Sequence, residues 1–191
     1  MATIAAAGVD KYTSDSMTEL DSHKNMIVLA NKALVIKDTG KSSELTAFSS
    51  EVQVMSKVPV DDAVVAYNCQ FTSEIYLLIM RNSLHIPSMK HNLILTLIIR
   101  KEWLTVSEVT KIHCEDPTVE DHSIYHDLNK LQITLKLDGI FSYFSTRALT
   151  LEEMQRCDEM KHVFLFLDAE TWDPYYENNY LSEEQLVDSG G

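Results

Sequence analysis

The sequence predicts a mainly β fold that carries a C-terminal β-hairpin and helix. Three observations lead there: short apolar runs at close spacing, a strictly alternating segment before Asp138-Gly139, and a helix-start signature at Thr150. Residues 1–18 are small and polar, rich in Ala, Ser and Thr, and read as a flexible lead-in. Apolar runs then recur at 26–29, 33–36, 52–55, 63–67, 75–80 and 84–86, each of strand length. Gly40, Pro59 with Asp61-Asp62, Asn68, Asn82 and Pro87 separate them as turn residues. Such punctuation favours an all-β domain over alternating strands and helices. Segment 75–79, Ile-Tyr-Leu-Leu-Ile, reads as a core strand rather than a substrate groove.

Segment 93–106 suits either a buried strand or a short helix, and periodicity does not separate the two. Residues 116–125 are polar, contain Asp116-Pro117 and read as a loop. Leu131-Gln132-Ile133-Thr134-Leu135-Lys136-Leu137 alternates apolar and polar before Asp138-Gly139, the preferred type I′ pair, and predicts a hairpin running on to Phe144. Its apolar face is too small to stand alone in water, so it must dock on the β core or on a partner subunit. Thr150-Leu151-Glu152-Glu153 is a capping box, and Leu151, Met154 and Cys157 recur on one face, which predicts a helix over 151–161. A short strand or apolar plug at 163–167 follows. The division is therefore 1–18 lead-in, 19–106 main domain, 107–171 hairpin-plus-helix module docked on it, and 172–191 acidic, tyrosine-rich tail.

Composition narrows the function. The chain of 191 residues is 45% hydrophobic with five glycines and four prolines, which suits a packed core rather than disorder. Its net charge is −13, and residues 151–191, with eleven acidic and two basic side chains, hold −9 of it. Without a basic cluster the chain lacks the electrostatic footprint of nucleic-acid binding. Its longest apolar runs, at 75–80 and 93–99, fall well short of the roughly 18 residues a membrane span needs. Residues 1–10 carry no basic side chain and no sustained apolar stretch, so no signal peptide is expected there. Three widely spaced cysteines, Cys69, Cys114 and Cys157, fit free thiols in a reducing, cytoplasmic setting. His122-x3-His126 has a spacing compatible with zinc. No Cys-x2-Cys accompanies it, and the adjacent His113 and Cys114 rarely chelate one ion, so no metal or other cofactor is expected.

The segment with the most chemical content is Glu19-Leu20-Asp21-Ser22-His23, which leads into Asn25-Met26-Ile27-Val28-Leu29. Asp-Ser followed by a polar residue is common in surface turns. Here, however, the aspartate is entered from an apolar residue and followed by an apolar strand. That is what an aspartic protease requires of a carboxylate on a tight turn, with a hydroxyl residue beside it as a brace. Glycine usually stands third, and here His23 does.

Several further blocks accompany the motif: Asp38-Thr39-Gly40-Lys41 running to Ala47-Phe48-Ser49; Lys57-Val58-Pro59-Val60; Leu84-His85-Ile86-Pro87-Ser88-Met89 with His91-Asn92-Leu93-Ile94; Lys111-Ile112-His113; Asp116-Pro117-Thr118-Val119-Glu120-Asp121-His122; and Gly139-Ile140-Phe141-Ser142-Tyr143-Phe144. From about residue 19 onward, their order and spacing make the chain resemble the protease-bearing part of copia-type retrotransposon polyproteins. The branch it resembles reads Leu-Asp-Ser-His where retropepsins usually read Leu-Asp-Thr/Ser-Gly. The resemblance implies a retropepsin-like small β-barrel and an aspartic endopeptidase acting on the retrotransposon polyprotein, with Asp21, Ser22 and His23 at the site.

The implied mechanism needs two carboxylates sharing one proton, because like charges about 3 Å apart cannot both ionise. One activates water and the other polarises the scissile carbonyl. With one credible motif in the chain, the second carboxylate is expected from a second copy. This gives a homodimer with Asp21 meeting Asp21 across a two-fold axis and Ser22 bracing the two loops. Asp38-Thr39-Gly40 also matches the retropepsin triplet. It follows Lys37 and precedes Lys41-Ser42-Ser43 rather than apolar strands, so Asp38 is expected in a hairpin turn. Asp188-Ser189-Gly190, at the end of the sequence, is expected to be a coincidence. Two departures from the family favour an alternative, a catalytically inactive structural or interaction fragment. His23 adds bulk where backbones must approach, and Leu95-Thr96-Leu97 replaces a Pro-Pro-Phe-like stretch, a change expected to loosen the cleft wall.

Overall fold

The protein is mainly β, and the computed structural model describes residues 15–21, 26–45, 55–101 and 104–165. Its strands are β1 (Asp15–Leu20), β2 (Val28–Leu29), β3 (Leu34–Leu45), β4 (Met55–Asn68), β5 (Ile75–His85), β6 (Asn92–Ile94), β7 (Thr105–Ser107), β8 (Ser123–His126), β9 (Leu131–Thr134), β10 (Lys136–Asp138), β11 (Phe141–Arg147) and β12 (Lys161–Phe164). Two short helices join them, α1 (Thr96–Lys101) and α2 (Leu151–Gln155). The main sheet runs β10-β11-β1-β6-β2-β5-β4-β3, with β12 parallel to β5, and one pairing of Arg147 with Ala66 brings β11 back against β4. A second sheet, β7-β8-β9, packs its apolar side into the same core. No helix among the described residues is long and apolar enough to cross a membrane.

Alternation explains which side chains enter that core. Along β1, Ser16, Thr18 and Leu20 are buried while Met17 and Glu19 are half-buried, the period-2 pattern of a strand with one covered face. β5 behaves differently: Tyr76, Leu77, Leu78, Ile79 and Met80 are all buried, because it is covered on both faces. One face joins the large cluster containing Leu29, Val65 and Ile94, and the other joins Leu149 and Ala66. Leu131, Ile133, Leu135 and Phe144 belong to the large cluster, and Phe144 meets Tyr67 edge-on at 6.1 Å between ring centroids.

Several expectations need correction. The 1–18 lead-in is too long, since Asp15 already pairs with Arg147. Asn82 and Asp61-Asp62 do not end strands. Asn82 is an extra residue in a β-bulge (φ +46°), and its N–H donates to Asp62 Oδ1 at 2.9 Å instead of to the ladder, so β5 runs unbroken through both predicted runs. Asp38 is likewise in a bulge within β3 rather than a hairpin turn; Gly40 (φ +71°) supplies the left-handed residue and donates its N–H to Asp38 Oδ1 at 2.8 Å. The alternating segment 131–137 splits at Leu135, whose N–H donates to His122 O, so β9 joins one sheet and β10 the other. In the hairpin the turn residues are Gly139-Ile140, with positive φ at Gly139 only, which is a type II′ pattern one residue along from the type I′ pair expected. Within 107–171, β11 is hydrogen-bonded to β1 and so forms part of the main sheet.

The capping box forms as expected: Thr150 Oγ1 accepts from Glu153 N–H at 3.2 Å and Glu153 Oε2 accepts from Thr150 N–H at 2.8 Å. The helix ends at Gln155 rather than 161, since the chain must turn through a 3-10 segment, Cys157–Glu159, to lay β12 beside β5. The strand expected at 163–167 is β12; residues from 166 onward, including the tail from Trp172, lie outside the described residues.

Glu153 also takes a two-pronged bond from Arg147, 2.7 Å from Nη1 and 2.6 Å from Nη2, while Nη2 donates to Asn68 Oδ1 at 2.9 Å. One guanidinium thus ties β11, β4 and α2 together, with both charged side chains largely buried. Those bonds from Arg147 hold the Glu153 carboxyl below its usual range. Because the folded value is depressed, the stabilisation is present above the unfolded carboxylate pKa and is lost as pH falls through the folded one. Glu153→Gln is therefore expected to cost about 2–4 kcal/mol at neutral pH. In urea unfolding at pH 7 and at pH 3, the gap from the wild type should shrink at the lower pH.

Candidate active site

Asp21 follows the last residue of β1, and its N–H donates to Ile94 O at 2.9 Å. It therefore continues the parallel register Thr18–Asn92, Glu19–Leu93, Leu20–Ile94 by one step. Leu20 and Ile94 are buried, which fixes the backbone, while Asp21 itself is half-buried. On the far side of residues 22–25 the chain is equally fixed. Ile27 O accepts from Leu84 N–H and Leu29 O from Ile86 N–H, both at 2.9 Å, and residues 27–30 are all buried. Ser22 and His23 lie outside the described residues, between these two anchored ends.

Asn92 links the ends. Its side chain is fully buried; Oδ1 accepts from Ala30 N–H at 2.8 Å and Nδ2 donates to Thr18 Oγ1 at 3.2 Å. Thr18 Oγ1 in turn shares a 2.8 Å hydrogen bond with Thr146 Oγ1 on β11. Strand β1, the chain just after β2 and the neighbouring β11 thus meet at one carboxamide. Sequence reading named His91-Asn92-Leu93-Ile94 among the blocks that carry the resemblance but missed Thr18 and Thr146. A threonine in an alternating strand reads equally well as a surface residue, and only pairing with β6 and β11 turns it inward.

On the other face of β1, His91 Nδ1 lies 2.7 Å from Glu19 Oε1, two residues before Asp21. Asp38 does not join this group: it is exposed on β3, which among the described residues pairs only with β4, and its carboxylate serves its own bulge. In the stretch Leu95-Thr96-Leu97, Leu95 is buried in the main core, Thr96 Oγ1 donates to Glu108 Oε1 at 2.8 Å and Leu97 is exposed.

A cavity of about 290 Å³ opens between β4 and β11, lined by Tyr67, Asn68, Lys136 and Ser145 among others, and Asp21 is not one of its walls. Burial pushes the Tyr67 phenol up to about 12, and its hydroxyl donates to Gln132 O at 3.3 Å. His122 and His126, the pair at zinc spacing, go separate ways. His122 Nε2 lies 2.9 Å from Ser142 Oγ, and burial lowers the pKa of both imidazoles. Among the described residues, no three His, Cys, Asp or Glu side chains converge as metal ligands would. The three cysteines are free.

No family model matches this chain, and no curated protein or solved structure does.

The Asn92 bridge predicts a specific cost. Asn92→Leu keeps the branched heavy-atom skeleton but leaves the buried Ala30 N–H without an acceptor, so a loss of about 2–4 kcal/mol is expected in urea unfolding. Amide hydrogen exchange at Ala30 should accelerate with it.

Proposed function

We propose that the chain is a retropepsin-like aspartic endopeptidase of a retrotransposon polyprotein, cutting that polyprotein between apolar residues as a cytoplasmic homodimer. The observation that carries this reading is the anchoring of Leu20-Asp21: an aspartate just past a buried strand end, its backbone N–H donated to Ile94 O, with the chain on either side of residues 22–25 tied through Asn92. The return of β11 onto β4 supports the small-barrel reading of the sheet. Asp21 of each copy supplies one carboxylate of the dyad. The ionised one takes a proton from water, and the protonated one donates to the substrate carbonyl as it becomes tetrahedral. Ser22 braces the paired turns. His23 stands where glycine normally lets the backbones approach, and a charged imidazole there lowers the apparent pKa of the dyad.

A second reading, a catalytically inactive retrotransposon-derived structural or interaction fragment, rests on His23. The burial of Leu95 in the main core weighs against the other argument for it, the altered stretch Leu95-Thr96-Leu97.

Peptide cleavage by the purified protein should be fastest at acidic pH and blocked by a statine-type inhibitor. Asp21→Asn should lower kcat/KM by at least about 10³-fold, with Asp38→Asn within about twofold of wild type. Retained activity in Asp21→Asn with loss in Asp38→Asn would move the site to β3. A large gain in His23→Gly favours the inactive-fragment reading, whereas a loss makes the histidine part of the mechanism.

A further inference from the structure

The split of segment 131–137 between two sheets leaves a gap in the main one. On its edge away from β1, β11 pairs with β10 as far as Tyr143, opposite Lys136, and next with β4 at Arg147, opposite Ala66. Two residues further along the β10 register, Thr134 would stand against Ser145. Thr134 instead pairs with Ser123 in the second sheet, and the Leu135 N–H goes to His122 O. Asp138 and Phe141 flank a two-residue turn and so exchange hydrogen bonds, as do Lys136 and Tyr143. Such pairs recur at every second residue, which aims the N–H and C=O of Ser145 at the same edge, and among the described residues no strand lies opposite them. The cavity of about 290 Å³ between β4 and β11 lies at this gap.

The walls of the cavity are polar and carry no carboxylate. Tyr67 and Thr146 are buried, and their hydroxyls are committed to Gln132 O and Thr18 Oγ1. Lys136 is the one charged residue of the lining, and it makes no ion pair with a described residue. Arg147 donates from both Nε and Nη2 to Asn68 Oδ1, so the group Asn68 has left to offer is its Nδ2 donor. We infer that this gap is a binding site for the free C-terminus of an extended peptide, entering antiparallel to β11 and in line with β4 and β10. Its last residue takes the position opposite Ser145: its N–H donates to Ser145 O, and one oxygen of its α-carboxylate accepts from Ser145 N–H. Antiparallel entry carries that carboxylate toward Lys136, where β10 begins, and the preceding carbonyl toward Asn68 at the end of β4. From Tyr143 to Arg147 the edge measures only ~13 Å. Strand β10 blocks further chain on the carboxylate side, so a terminus is selected over an internal segment. Asp21 is no part of this site, and the inference stands apart from the protease reading.

Titration of the isotope-labelled full chain, followed by the amide resonances at pH 7, tests this with three ligands: acetyl-Ala-Ala, its C-terminal amide, and the form methylated at its last peptide nitrogen. Acetyl-Ala-Ala should shift the Ser145 amide saturably and slow its hydrogen exchange. The amide lacks the charge that Lys136 meets, and the methylated peptide lacks the N–H that Ser145 O accepts, so each should bind at least about tenfold more weakly. Lys136→Gln should weaken acetyl-Ala-Ala by a similar factor, and Lys41→Gln, on β3, by less than about twofold. Both lysines are exposed, and Lys136 has no ion pair to lose, so thermal unfolding of these variants should match wild type. The inference is overturned if no saturable shift reaches Ser145 up to about 10 mM peptide. Equal binding of either modified peptide overturns it too, as does indifference to Lys136→Gln.

Discussion

The buried Asn92 carboxamide is the constraint on which the arrangement around Asp21 depends. A polar side chain at zero exposure is tolerated only when its donors and acceptors are met. Asn92 meets them with the Ala30 amide on one side of residues 22–25 and the Thr18 hydroxyl on the other. Position 92 therefore sets the distance between β1 and the chain around Ala30. The extension to Thr146 brings β11 into the same network. Hydrophobic burial on either side, at Leu20, Ile27, Leu29 and Ile94, drives collapse but has no direction of its own. Direction comes from the hydrogen bonds.

The same division of labour recurs elsewhere. Arg147 closes the β11–β4 approach with bonds to Glu153 and Asn68, while Leu149 packs with Ala66 and Leu77 beneath it. Asp62 captures the Asn82 amide, so that β5 can absorb an extra residue without breaking, and Met80 and Leu84 remain buried on either side of the bulge. In each case a short polar contact fixes a register that apolar packing alone would leave free to slip.

The legible and illegible parts of the fold separate along these lines. Apolar periodicity marked the β5 and β11 regions, and the Thr150 capping box gave the helix start, because each signal is local. Whether Asn82 and Asp61-Asp62 ended strands or sat in a bulge was not local: turn residues look alike in both settings, and the capture of Asn82 by Asp62 depends on pairing twenty residues apart. Segment 131–137 alternates without a fault, yet it splits between two sheets at Leu135 because His122 O takes that amide. For the candidate site, Asp21 and the 91–94 segment were singled out from the motif and its accompanying blocks. Thr18, Thr146 and the Glu19–His91 pair were not, since their partners lie between 72 and 128 residues away.

The distance between the two Asp21 carboxylates bears most directly on the account. A crystal structure of the protein with a statine-type inhibitor would measure it. The account predicts two copies related by a two-fold axis, with facing Asp21 oxygens about 3 Å apart, close enough to share one proton. Asp21 side chains well beyond hydrogen-bonding reach of one another would contradict it.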